Sequence, residues 1–105
     1  MVQHVTSEQL EQLISTSSVP VVCDFWASWC GPCRMLGPVF EEVSGKYEGK
    51  AIFVKVNVDE EEAAAYKYGI SSIPNIIIFK GGKPVANNLG FVPESVLDAF
   101  VKNTL

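Results

Sequence analysis

Basic residues, cysteines and histidines are all scarce in this sequence. The 8 Lys and Arg are scattered along 105 residues with no cluster to follow a phosphate backbone, so no nucleic-acid partner is expected. The longest apolar runs, Val19–Cys23 and Ile76–Phe79, fall far short of a membrane span. The first residues, Met1-Val2-Gln3-His4, lack a basic region followed by an apolar core, so no secretory signal is expected. Three cysteines, an odd number, argue against a disulfide-stapled secreted framework and point to a reducing cytoplasm. There, closely spaced cysteines are catalytic or metal-binding rather than structural. Structural zinc usually takes four ligands, and the chain offers one Cys-x-x-Cys pair, an isolated Cys23 and the single His4. No metal is expected. No repeat, low-complexity tract or linker divides the chain, so one domain over residues 1–105 is expected, and by default a monomer.

What is present is an ordinary globular composition, 48% hydrophobic and 19% charged. The net charge of −4 is local: it resides in Asp59-Glu60-Glu61-Glu62, and the remaining acids balance the bases. Such a run reads as the solvated first turn of a helix, complementing its dipole.

Periodicity orders the elements as β-α-β-α-β-α-β-β-α. Val2–Val5 is a short strand, and Thr6-Ser7-Glu8-Gln9 resembles a capping box ahead of the stripe Leu10, Leu13, Ile14. Pro20–Ala27 is apolar apart from Asp24, the pattern of a strand buried on both faces. From Pro32 onward, Leu36, Val39, Phe40, Val43 and Tyr47 recur at helical spacing, with Pro38 expected to bend the helix near its start. Ala51–Val58 is a strand, and Glu60–Tyr68 a short helix ended by Gly69. Asn75–Phe79 and Val85–Leu89 flank a Gly81-Gly82 hairpin turn, and Pro84 suits an edge strand. Pro93-Glu94 opens a last helix whose stripe is Val96, Leu97, Phe100 and Val101. The order implies an α/β fold: a mixed sheet of about five strands covered on both faces by about four helices.

Residues 29–33 read Trp29-Cys30-Gly31-Pro32-Cys33, where a buried strand gives way to a helix. Cysteines three apart can close a small disulfide ring. A sulfur on the first turn faces unpaired N–H groups and the positive end of the helix dipole, both of which favour thiolate over thiol. Pro32 suits that turn and removes one N–H that would otherwise stabilise the anion. Asp24 is a lone carboxylate in a buried strand, where desolvation pushes its pKa upward. Lys55 interrupts the apolar strand beside it and is the candidate partner of Asp24. Cys23, facing away from Asp24, reads as a small core residue.

The segment Asp24-Phe25-Trp26-Ala27-Ser28-Trp29-Cys30-Gly31-Pro32-Cys33 resembles the active site of the thioredoxin family. So do Ile73-Pro74 ahead of the fourth strand, the Gly81-Gly82 hairpin and Gly90 before the last helix. The resemblance runs over the whole chain and implies the thioredoxin fold and a general protein disulfide reductase. Cys30 would be the exposed nucleophile that forms a mixed disulfide, and Cys33, shielded one turn further in, would resolve it. Asp24 would exchange a proton with Cys33 through water. Gly31 and Pro32 would tune the redox pair toward a reductant. Pro74 would be the family's cis-proline, its ring keeping metal from the thiols, with the backbone of Ile73 bonding a bound peptide. Trp29, Ile73, Leu89, Gly90 and Phe91 would form an apolar docking surface with Gly31, Pro32 and Pro74. Trp26 would be packing beneath it. Asn75 and Phe91 depart from the family pattern at the rim, which bears on substrate preference.

The resemblance further implies no bound cofactor. Recharging would come from a flavin-dependent thioredoxin reductase using NADPH, or from a ferredoxin-linked equivalent. Clients would be enzymes that form a disulfide in turnover, such as ribonucleotide reductase, peroxiredoxin and methionine sulfoxide reductase. Three alternatives stay open on sequence: an oxidase or isomerase of the same fold, an accessory docking subunit, and a metal or iron–sulfur scaffold bridging two chains.

Overall fold

Thr6 starts the first helix as its sequence predicts. Its hydroxyl accepts from Gln9 N–H at 3.1 Å while Gln9 Oε1 accepts from Thr6 N–H at 3.0 Å, closing the capping box. In the computed structural model, which describes residues 2–105, nine elements follow in the expected order. They are β1 (Gln3–His4), α1 (Ser7–Thr16), β2 (Val21–Trp26), α2 (Gly31–Lys46), β3 (Ile52–Asn57), α3 (Glu62–Lys67), β4 (Asn75–Lys80), β5 (Lys83–Leu89) and α4 (Glu94–Lys102). The strands form one mixed sheet, ordered β1-β3-β2-β4-β5. β2 lies at its centre, parallel to β3 and antiparallel to β4.

The central position explains the unbroken apolar run of β2. Val22 points into the layer under α2 and α4, with Leu36, Phe40, Phe53, Ile78 and Leu97. Val21, Cys23 and Phe25 point into the other layer, with Leu10, Val54, Ile77 and Phe79 under α1 and α3. Burying each such side chain contributes about 1.5–3 kcal/mol, so this strand anchors both halves of the core. Asp24 follows Val22 on the α2 side, and the register sets Lys55, Asp24 and Ile76 side by side across three strands.

The hairpin after β4 turns on Gly81 and Gly82, with φ of 62° and 84°. Two successive positive φ values match the twist of the flanking strands and exclude most other residues. Pro84 sits on the edge strand beside a bulge at Ile78/Phe79, where its missing N–H costs the ladder little. Pro38 lies within α2, which continues through it to Lys46.

Three sequence expectations are corrected. The short helix begins at Glu62, not Glu60, because Asn57 holds the turn before it: its carbonyl accepts from Glu60 and Glu61, and its side chain from Asp59. The acidic run is therefore more than a solvated first turn. Glu61 Oε1 accepts from Ser7 N–H at 2.7 Å, and Ser7 Oγ accepts from Ala64 N–H at 3.1 Å, so α1 and α3 cap one another. Finally, Val96 is 47% exposed, and the buried stripe of α4 narrows to Leu97 and Val101.

Candidate active site

β2 ends at Trp26, and the chain turns through Ala27–Trp29 before α2 starts. Cys30 N–H donates to Ala27 O at 3.3 Å, and Cys30 takes the N-cap position in extended conformation. Its Sγ accepts from Cys33 N–H at 3.2 Å. Cys30 and Cys33 are joined in a disulfide, their Cα atoms 5.2 Å apart. Pro32 stands in the first turn, where its missing N–H leaves nothing unpaired.

Cys33 is shielded, as expected, at 1% exposure. Cys30 is a correction: it is buried too, at 5%, not exposed. Its cover comes from far along the chain. Ile73 O lies 3.8 Å from Cys30 Sγ, at a cis Ile73–Pro74 peptide bond. Gly90 N–H donates to Pro74 O at 2.8 Å, tying the end of β5 to that loop.

Around the sulfurs the surface is apolar. Trp29 is 67% exposed and Ile73 half-buried, and the Trp29 indole Nε1 donates to Asp59 Oδ2 at 2.8 Å. Met35, which the sequence reading passed over, is also widely exposed on α2. Gly90 and Phe91 follow β5, and Leu89 at its end is exposed beside Asn75, its partner in the ladder. Asn75 corrects the reading of it as a rim residue. It is buried on the α3 side of the sheet, its Oδ1 accepting from Asn87 Nδ2 at 3.3 Å.

Asp24 has no exposed surface, and neither carboxylate oxygen has a hydrogen-bond partner. Burial pushes its pKa from 3.8 up to about 7, against the pull of Lys55. Lys55 lies next to Asp24 in the register but makes no direct ion pair with it; its ammonium sits 4.5 Å from the centre of the Trp26 ring. Trp26 also packs edge-on against His4, ring centroids 5.7 Å apart. Cys23 is fully buried on the opposite face of β2, and burial followed by the nearby Asp24 charge pushes its thiol well up. Among the described residues, no three metal-ligating side chains converge, and no helix is long and apolar enough to cross a membrane.

The comparisons agree with this geometry. The thioredoxin family model matches residues 1–103. Thioredoxin 1 of Nostoc sp. is 48% identical over 101 residues, covering 96% of this chain and 94% of its own. Thioredoxin 2 of Chlorobaculum tepidum is 50% identical over 92 residues, 88% of this chain and 84% of its own. The chloroplastic M-type thioredoxin of Chlamydomonas reinhardtii is 45% identical over 101 residues, 96% of this chain and 72% of its own. With a disulfide at the start of α2 and a mixed sheet of this order behind it, the chain belongs to the thioredoxin family and is a thiol–disulfide oxidoreductase acting through Cys30 and Cys33.

Proposed function

We propose that the chain works as a single-domain, cytoplasmic, general reductant of protein disulfides. The observation that carries the reading is the Cys30 sulfur at the N-cap of α2, accepting from Cys33 N–H beneath an apolar rim. In the reduced protein the Cys30 thiolate attacks one sulfur of a client disulfide. A Cys30–client bond forms and the other client sulfur leaves as thiolate. Cys33 then loses its proton and attacks Cys30 Sγ. The Cys30–Cys33 bond forms, the second client sulfur leaves, and two electrons have passed to the client.

Asp24 is the proton acceptor for Cys33 in this scheme. Its support is a buried carboxylate on the α2 side of β2 without any hydrogen-bond partner and with a pKa near neutrality. Lys55 tunes Asp24 through space, and its position over Trp26 leaves the carboxylate free to exchange. Trp29, Ile73, Pro74, Gly90 and Phe91 dock the client, with Leu89 at the margin, and drying the sulfurs on docking favours exchange. Gly31 and Pro32 hold the pair on the reductant side.

Members of the thioredoxin family exchange with thioredoxin reductases and with disulfide-containing clients. For this chain the proposed recharging partner is a flavin-dependent, NADPH-using reductase or its ferredoxin-linked equivalent. The proposed clients are enzymes such as ribonucleotide reductase, peroxiredoxin and methionine sulfoxide reductase. The test is insulin reduction driven by NADPH and a thioredoxin reductase. Catalytic turnover that vanishes in Cys30→Ser, and stops at a trapped Cys30–client adduct in Cys33→Ser, supports the scheme. Adducts formed through Cys33 would overturn it.

A further inference from the structure

Arg34 is the only arginine in the chain and directly follows Cys33. Its side chain folds back toward the start of α2. Nη1 donates to Ser28 O at 3.0 Å, six positions earlier. Nη2 closes over Gly31, where a Cβ would stand 3.9 Å away. The guanidinium therefore meets the chain on both sides of Cys30, although the side chain is exposed and gives up rotamer freedom to be there. Nothing else at the helix start supplies a full positive charge: Pro32 has no N–H, and Cys33 N–H is the one donor to Cys30 Sγ.

We propose that Arg34 is a positioning residue for the exchange, its charge held over the Ser28–Gly31 loop so that the Cys30 thiol of the reduced protein ionises more readily. The inference rests on the reading of Cys30 as the attacking sulfur. The step is an ionisation only: Cys30 S–H gives its proton to solvent and the thiolate remains at the N-cap of α2. The other charges facing the site are the Asp59 carboxylate across Trp29, buried Asp24 on β2 with Lys55 next to it on β3, and Cys33 itself. The Ile73–Pro74 loop that covers Cys30 brings none. All of these are common to every Arg34 variant. A pair of unit charges in water-like surroundings interacts by about 1 kcal/mol at close range and less further off, so one nearby cation changes the charged fraction of an ionising group about two- to threefold. Salt screens such an interaction, the Debye length falling from about 30 Å at 0.01 M to about 3 Å at 1 M.

The test is the pH profile of iodoacetamide alkylation of the fully reduced chain, with the alkylated cysteine identified by mass. Arg34→Gln removes the charge and leaves a shorter, polar amide side chain, and its alkylation below the thiol pKa should be about two- to threefold slower than wild type. Arg34→Lys keeps the charge without the planar fork and should recover most of that rate. The gap between wild type and Arg34→Gln should close in about 1 M salt. An unchanged profile in Arg34→Gln overturns the inference. So does Arg34→Lys as slow as Arg34→Gln, because the bond to Ser28 rather than the charge would then be the agent. Label arriving first on Cys33 instead overturns the assignment of Cys30, and the inference with it.

Discussion

Helix α1 starts on Thr6 and helix α2 on Cys30, both in extended conformation and both accepting from the amide three residues on, at 3.1 and 3.2 Å. The neighbouring donors are treated differently. At α1, Gln9 Oε1 takes Thr6 N–H and Glu61 Oε1 takes Ser7 N–H, so oxygens and a carboxylate answer the helix dipole. At α2 there is no acid in the first turn, and the cap atom is a disulfide sulfur, a weak acceptor. The first terminus is satisfied in one state only. The second improves when Cys30 is reduced and ionised, because an anion then replaces the weak cap. The same structural device stabilises the fold at one helix and favours reactivity at the other.

Exchanging the atoms breaks the comparison most severely at Cys30. Cys30→Ser installs an oxygen cap like that of α1, so its stability should stay within about 1 kcal/mol of reduced wild type by chemical denaturation. Disulfide reductase turnover should fall at least about a thousandfold, since a hydroxyl at its ordinary pKa is no substitute for a thiolate. Retained turnover would detach the chemistry from the cap.

Asp24 comes next. Its folded pKa of about 7 exceeds the ordinary 3.8, so between these values the folded chain holds a proton that the unfolded chain releases. Stability contributed by this group is complete below about pH 4 and is lost as pH rises toward 7. At about 1.4 kcal/mol per unit, the loss is on the order of 4 kcal/mol at alkaline pH. Asp24→Asn should flatten that slope, raise stability at pH 8 by up to that amount, and slow resolution of the mixed disulfide while sparing the first attack. Urea unfolding across pH and single-turnover kinetics check the two halves. A wild-type stability that rises from pH 4 to 8 would refute the first.

The effects at α1 are smaller. Thr6→Ala should cost about 1 kcal/mol of stability with reductase activity unchanged. Glu61→Gln keeps an acceptor for Ser7 N–H but loses the charge at the helix terminus, and should cost about 0.3–1 kcal/mol at low salt and less at high salt. Loss of activity in either variant, measured at a temperature where both are folded, would mean that α1 does more than support the sheet.

Features set by local chemistry were legible in the sequence: the Thr6 capping box, the Gly81-Gly82 turn, the buried character of β2 and the Cys30–Cys33 helix start. The features that were not legible depend on residues distant in the chain. Cys30 reads as exposed until Ile73 O, 43 positions away, is brought over it. Asp59 and Glu61 read as solvated acids until Trp29 and Ser7 are found bonded to them, 30 and 54 positions off. Asn75 follows the loop over Cys30, yet the alternation of β4 turns it to the other side of the sheet, toward Asn87. Arg34 is local, six positions from Ser28, but an i to i−6 bond matches no helical spacing that patterning would reveal. Register sets Lys55 beside Asp24, and only the side-chain geometry shows its ammonium over Trp26.

The most direct test of a helix start poised for the reduced state is the reduction potential of the Cys30–Cys33 pair, measured by equilibration with defined glutathione buffers. A reductant that cycles in a cytosol requires a value at or below about −240 mV, within or under the glutathione poise. A value above about −200 mV would contradict the account and make the chain an oxidant or isomerase built on the same fold.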